Sequence, residues 1–177
     1  MLSRKELTNL AKNIKAQFDF IPREHLGYGF QPIETFVGKE LYPDDFQVFT
    51  EVFGHTSIGS TSHDGGYQVL NVDIPTRIDK VPEKMIANET MLFAWDESLP
   101  DEEIFNGIKA KNAFLVANDS ENQPIFYLQE KDKLRLISEY SYMGRVNEDR
   151  TFIQLFVDIV NEHLEYIGAE RFAIRGF

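Results

Sequence analysis

Between Ala113 and Ser138 the chain sets three short apolar runs apart by two polar links. The runs are AFLVAND, PIFYLQ and LRLIS, and the links are SENQ and EKDK, which is the pattern of an antiparallel meander. Such a sheet needs an apolar partner, and both ends of the chain carry helical periodicity. Leu7, Leu10, Ile14 and Phe18 recur at helical spacing behind Ser3, and Glu6 stands three positions after Ser3 as in a capping box, so a helix is expected from about Arg4 to Gln17. Near the other end Thr151 and Gln154 have the same spacing, and Phe152, Leu155, Phe156, Ile159, His163 and Ile167 form one face up to Gly168. The tail AERFAIRGF is apolar enough to dock as a last strand or an extended arm. Helices around a run of strands imply an α+β fold: one domain over residues 1–177, an antiparallel sheet with helices packed on one side, and a C-terminal amphipathic helix. With 15 Phe and 42% hydrophobic residues the core is well supplied, and there is no internal repeat.

The middle is less regular. FIPREHLGYGFQP reads as a covering loop, broken by Pro22, Pro32, Gly27 and Gly29, whose Phe20, Ile21, Leu26, Tyr28 and Phe30 want burial. ELYPDDFQVFTEVFG reads as a short helix opened by Pro43, with Asp44 and Asp45 favoured in its first turn by the helix dipole. Phe46, Phe49 and Phe53 line one side, Val48 and Val52 widen the stripe, and Gly54 stops it. GHTSIGSTSHDGG then reads as a flexible loop, GYQVLNVDI as one or two strands ending near Pro75, and ETMLFAW as a further strand.

Composition narrows the function. Lys plus Arg number 18 against 29 Asp plus Glu, a net charge of −11, which repels phosphate backbones and anionic lipid, so neither nucleic acid nor membrane is an expected partner. The basic residues of the first segment, Arg4, Lys5, Lys12, Lys15 and Arg23, read as a solvated helix face. Cysteine is absent, which fits a reducing compartment; no secretory leader or membrane-length apolar run is visible, so the expected location is cytoplasmic.

Catalytic and cofactor signatures are weak. His55, His63 and Asp64 share one loop region and could supply three metal ligands, but they match no sharp ligand motif, and a metal-assisted hydrolase is the third-ranked reading. No nucleophile elbow or phosphate-binding glycine loop is present, and no cofactor is expected. LVANDSENQP lacks the calcium-loop register and reads as a hairpin turn. His163, on the apolar face of the last helix, reads as a hydrogen-bonded core histidine. The unusual stretch is WDESLPDEE, where Asp96, Glu97, Asp101, Glu102 and Glu103 place five carboxylates in eight residues beside Trp95. One reading is a solvated loop entering a helix at Asp101; the other is a binding site for a basic protein surface, with Trp95 as its aromatic anchor.

Taken in order, these segments resemble the SUKH superfamily, shared by bacterial immunity proteins and a fungal regulator of cell-wall synthesis. The resemblance lies in a proline-opened helix with acidic and apolar residues before a glycine turn, as in Pro43, Asp44, Phe46, Phe49 and Gly54. It continues in the strand, acidic turn and strand FLVANDSENQPIFYL and in the Ser/Thr-aromatic helix start at Thr151 and Phe152, covering roughly residues 34–167. It implies a non-enzymatic binding protein, often one that neutralises a nuclease or deaminase toxin domain by occluding its basic groove. A general interaction or regulatory module of the same fold is the alternative, and the oligomeric state stays open.

Overall fold

The computed structural model describes residues 2–60, 66–77, 103–105, 108–109, 112–120, 124–131, 133–138 and 150–173. Their elements are α1 (Arg4–Phe18), β1 (Leu26–Gln31), a 3-10 turn (Lys39–Leu41), α2 (Asp44–Val52), β2 (His55–Ser60), β3 (Tyr67–Arg77), β4 (Glu103–Phe105), β5 (Ile108–Lys109), β6 (Ala113–Asp119), β7 (Pro124–Glu130), β8 (Lys133–Ser138) and α3 (Phe152–Tyr166). They form an α+β fold with a six-stranded antiparallel sheet in the order β1-β2-β3-β6-β7-β8 and a separate β4-β5 pair. By contacts the chain forms two compact units, Met1–Asp73 with Arg150–Phe177, and Ile74–Asp149.

The second unit holds the meander, with β6, β7 and β8 at the runs that define it in the sequence. The helix expected at Asp101 gives way to strand at β4, which pairs with β5. Phe105 lies opposite Ile108, and Glu103 opposite Lys109.

The first unit contains all three described helices. Both terminal ones carry the expected capping boxes: Ser3 with Glu6, and Thr151 with Gln154. Each box satisfies two amide groups that the helix leaves without an internal partner. Two segments expected to be loops are strands instead. Leu26, Tyr28 and Phe30 alternate with Gly27, Gly29 and Gln31 in β1, and Thr56, Ile58 and Ser60 alternate with His55, Ser57 and Gly59 in β2. The register sets Tyr28 opposite Ile58 and Ile58 opposite Leu70, so one face is apolar and covered by helices. Gln31, His55, Ser57 and Asn71 lie on the other, polar face. Glycine and serine disguise these strands because they occupy mainly the face that needs no apolar side chains. Strand β3 runs through Pro75 to Arg77, two residues past its expected end.

An aromatic web fills this unit. Phe18 of α1 meets Tyr28 and Phe30 of β1 with ring centroids 5.0 Å apart, and Phe172 of the tail at 4.9 Å. Phe49 of α2 lies 4.9 Å from Phe53, 4.8 Å from Phe152 and 5.0 Å from Phe156. Such pairs contribute about 0.5–1.5 kcal/mol each beyond the area they bury. The tail is an extended arm: Phe172 is buried, its N–H donates to Asn161 Oδ1 at 2.7 Å, and the Ala173 N–H donates to Gln17 Oε1 at 2.9 Å. Phe20, expected inside, is 85% exposed, because the chain has left the core-facing side of α1 by that residue.

Gly54 closes the web. Its φ of +66° turns the chain straight from α2 into β2, and its backbone bridges Gln31. A Cβ there would stand 1.8 Å from the Gln31 carbonyl oxygen. Only glycine permits so close an approach of two backbones.

Candidate functional site

Of the acidic stretch singled out as a partner site, Trp95, Asp96, Glu97, Asp101 and Glu102 lie outside the described residues. Glu103 begins β4, where its backbone pairs with Lys109. Of the possible metal ligands, His63 and Asp64 also lie outside them. His55 is on the polar face of the sheet, and its Nδ1 is 2.7 Å from Asp73 Oδ1 across the β2-β3 ladder. Among the described residues no three His, Asp or Glu side chains gather as a metal site would require.

The two aspartates at the mouth of α2 have separate roles. Asp44 is exposed, and Arg4 Nη1 reaches its Oδ1 at 3.4 Å, a surface contact worth little by itself. Asp45 is buried, and its Oδ2 accepts from the N–H of Phe152 at 2.6 Å. Its carboxyl also accepts from Ile153 and from the N–H groups of Asp45 and Phe46, so it serves the first turns of α2 and α3 together. Burial pushes this carboxyl above the ordinary aspartate value, and those backbone donors pull the other way. The sequence suggested a dipole effect within one helix; the side chain joins two helices. The missed signal is that Asp45, Val48, Phe49 and Val52 fall on one helical stripe, which carries Asp45 inward.

A second polar arrangement lies under α3. Tyr67 Oη is 2.8 Å from His163 Nδ1, Ser60 bonds the same phenol, and His163 is buried as the sequence suggested. His163 Nε2 is buried with no hydrogen-bond partner among the described residues. Burial therefore holds the imidazole below its ordinary value, in the neutral form. Because the unfolded chain takes up a proton first, this group's contribution to stability diminishes as pH falls below about 6.5. The expected result is that the urea midpoint of the natural chain drops between about pH 7 and pH 5 by more than that of His163→Gln. Parallel profiles would contradict this account.

A shallow groove lies between α1 and β1, lined by Lys12, Lys15, Ala16, Asp19, Tyr28 and Phe30. Its charge is largely used within the fold. Lys15 Nζ donates to the Val52 carbonyl at 2.6 Å and caps the C-terminus of α2, while the Arg23 guanidinium sits 3.7 Å over Tyr28 and donates to the Tyr28 carbonyl at 2.8 Å. Arg23 thereby occupies a backbone acceptor on the edge strand, which discourages pairing with another chain there.

The segment between β1 and α2 behaves differently. Val37 is fully exposed and Leu41 is 62% exposed, while Phe36 between them and the core packs on Tyr42 with ring centroids 5.5 Å apart. Both residues thus keep large apolar side chains in solvent on the segment that joins β1 to α2.

These elements define an α+β protein. Compared with known protein families, curated proteins and solved structures, the chain matches none.

Proposed function

We propose that this chain is a SUKH-like binding protein, and that it acts as an immunity protein by covering the basic surface of a toxin domain. The observation that carries this reading is the meeting of two sequence segments that underlie the resemblance. Pro43 to Gly54 and the Thr151-Phe152 helix start are far apart in sequence, yet Asp45 binds the Phe152 N–H and the rings of Phe46 and Phe49 pack on Phe152 at 4.8 Å. These two segments of the pattern thus pack as one piece within the first unit, and the strand-turn-strand segment of the pattern lies in the second. The net charge of −11 supports the choice of partner, since clustered carboxylates can occupy a groove that otherwise attracts phosphates.

The test is to read the genes beside this one and to co-express any toxin domain they encode with this chain; a neighbourhood without one would count against the immunity role. Restored growth and a stable purified complex are the expected result; intact toxicity with no complex would refute the immunity role. A non-toxin partner encoded there would favour the regulatory module instead. For the acidic stretch, the triple change Asp101→Asn, Glu102→Gln, Glu103→Gln is expected to weaken toxin binding about tenfold at low salt and to flatten its salt dependence. Unchanged affinity and slope would remove that stretch from the interface.

A further inference from the structure

We infer that the apolar tip at Val37 and Leu41 is the anchor by which the protein holds its partner, a protein surface with an apolar pocket rimmed by Lys or Arg. The inference rests on the binding role proposed above and names a surface the sequence did not single out.

The tip is displayed at a cost and held in place. Val37 is fully exposed and Leu41 62% exposed, so both keep apolar surface in water that burial would stabilise at about 25 cal/mol per Å². The supporting backbone is tied down at both ends. The Ile33 N–H donates to the Thr50 carbonyl at 2.8 Å, and Gln47 Nε2 donates to the Tyr42 carbonyl at 2.7 Å. Lys39 crosses the base, with Nζ donating to the Glu34 carbonyl and to Glu51 Oε1 at 2.8 Å. Gly38 supplies the turn with a φ of +77°. A segment so braced loses little conformational freedom when a partner covers its tip, which favours tight binding.

Charge selects the occupant. Arg4 and Lys39 both pair with Glu51, and Arg4 also reaches Asp44. Glu34 and Glu40, three residues to either side of Val37 in sequence, are exposed and have no ion-pair partner among the described residues. An apolar knob with carboxylates at its rim complements an apolar pocket rimmed by cations. A second copy of this chain is a poor occupant, because a two-fold contact would set the same unpaired carboxylates against each other.

The experiment titrates the toxin domain identified by the co-expression test above, inactivated at its own active site, with three forms of the protein by calorimetry; finding no such toxin overturns the immunity role and the anchor with it. Since Val37 and Leu41 are exposed, V37D/L41D should keep the urea midpoint of the natural chain. The expected result is binding weakened about 100-fold or more by V37D/L41D and about tenfold by V37A/L41A, the range of an interface hot spot. Binding by the natural chain that V37D/L41D leaves unchanged overturns the anchor alone. No binding by the natural chain overturns the immunity role and the anchor with it. A dimer of the natural chain, seen in sedimentation and dissociated by V37D/L41D, overturns the heterologous partner in favour of a second copy.

Discussion

Gly54→Ala is expected to destabilise the protein by about 2–5 kcal/mol although it adds a single methyl group. The left-handed conformation costs a non-glycine residue about 1–2 kcal/mol, and forcing a carbon into a closed space costs typically about 1–3 kcal/mol more. The space here is closed by backbone, since the new Cβ would stand 1.8 Å from the Gln31 oxygen and 2.6 Å from Pro32 Cα. No rotamer change relieves it. Either the Gln31-Gly54 bridge opens or Phe53, which packs at 5.1 Å on Phe30, is displaced from the core. Urea unfolding should show the midpoint fall with the slope retained; a loss under about 1.5 kcal/mol would mean the turn relaxes more readily than these distances imply. Gly168→Ala is a matched control, because Gly168 also has positive φ, +72°, but nothing lies within 4 Å of its added carbon.

Asp45→Ala should cost about 2–6 kcal/mol, as it strips an acceptor from the Phe152 and Ile153 N–H groups at a buried helix start, each orphan costing about 1–3 kcal/mol. Asp45→Asn should cost less than Asp45→Ala at neutral pH, since the amide keeps one acceptor oxygen and carries no buried charge. The sign of the pH dependence follows from the raised carboxyl. Between the ordinary aspartate value near 3.9 and the higher folded value, the folded state binds more protons than the unfolded one, so this group's contribution to stability declines as pH rises through that interval. The difference between the natural chain and Asp45→Ala should accordingly be larger near pH 4 than near pH 7. A difference that grows with pH instead would show that the N–H donors of the two helices outweigh burial.

Much of the fold is legible in the sequence because its devices are local. Ser3 with Glu6, Thr151 with Gln154, the Phe46-Phe49-Phe53 stripe and the three runs of the meander act over a few residues, and each lies where its spacing indicates. What escapes notice depends on the other side of a contact. Gly54 is recognisable as a helix stop, but not as a residue pressed on Gln31. Strand β2 has only Ile58 as a large apolar residue and is a strand because β1 and β3 flank it. Asp44 and Asp45 are chemically identical, and helical phase alone separates the exposed acid from the buried one. Nothing in the sequence singles out Val37 and Leu41; their exposure is visible only once the segment around them is in place.

The clamp at Asp45 also sets a timetable. The first unit is assembled from residues 1–73 and 150–177, so the helix that Asp45 holds is made after the whole intervening segment. At about 5–20 residues per second those 149 − 73 = 76 residues take the ribosome about 4–15 s to make. During that interval the faces of Phe46 and Phe49 wait without Phe152 and Phe156, exposed to chaperones and to other nascent chains. The second unit is complete before the first can close, and the yield of folded protein will depend on how well the early half survives the delay.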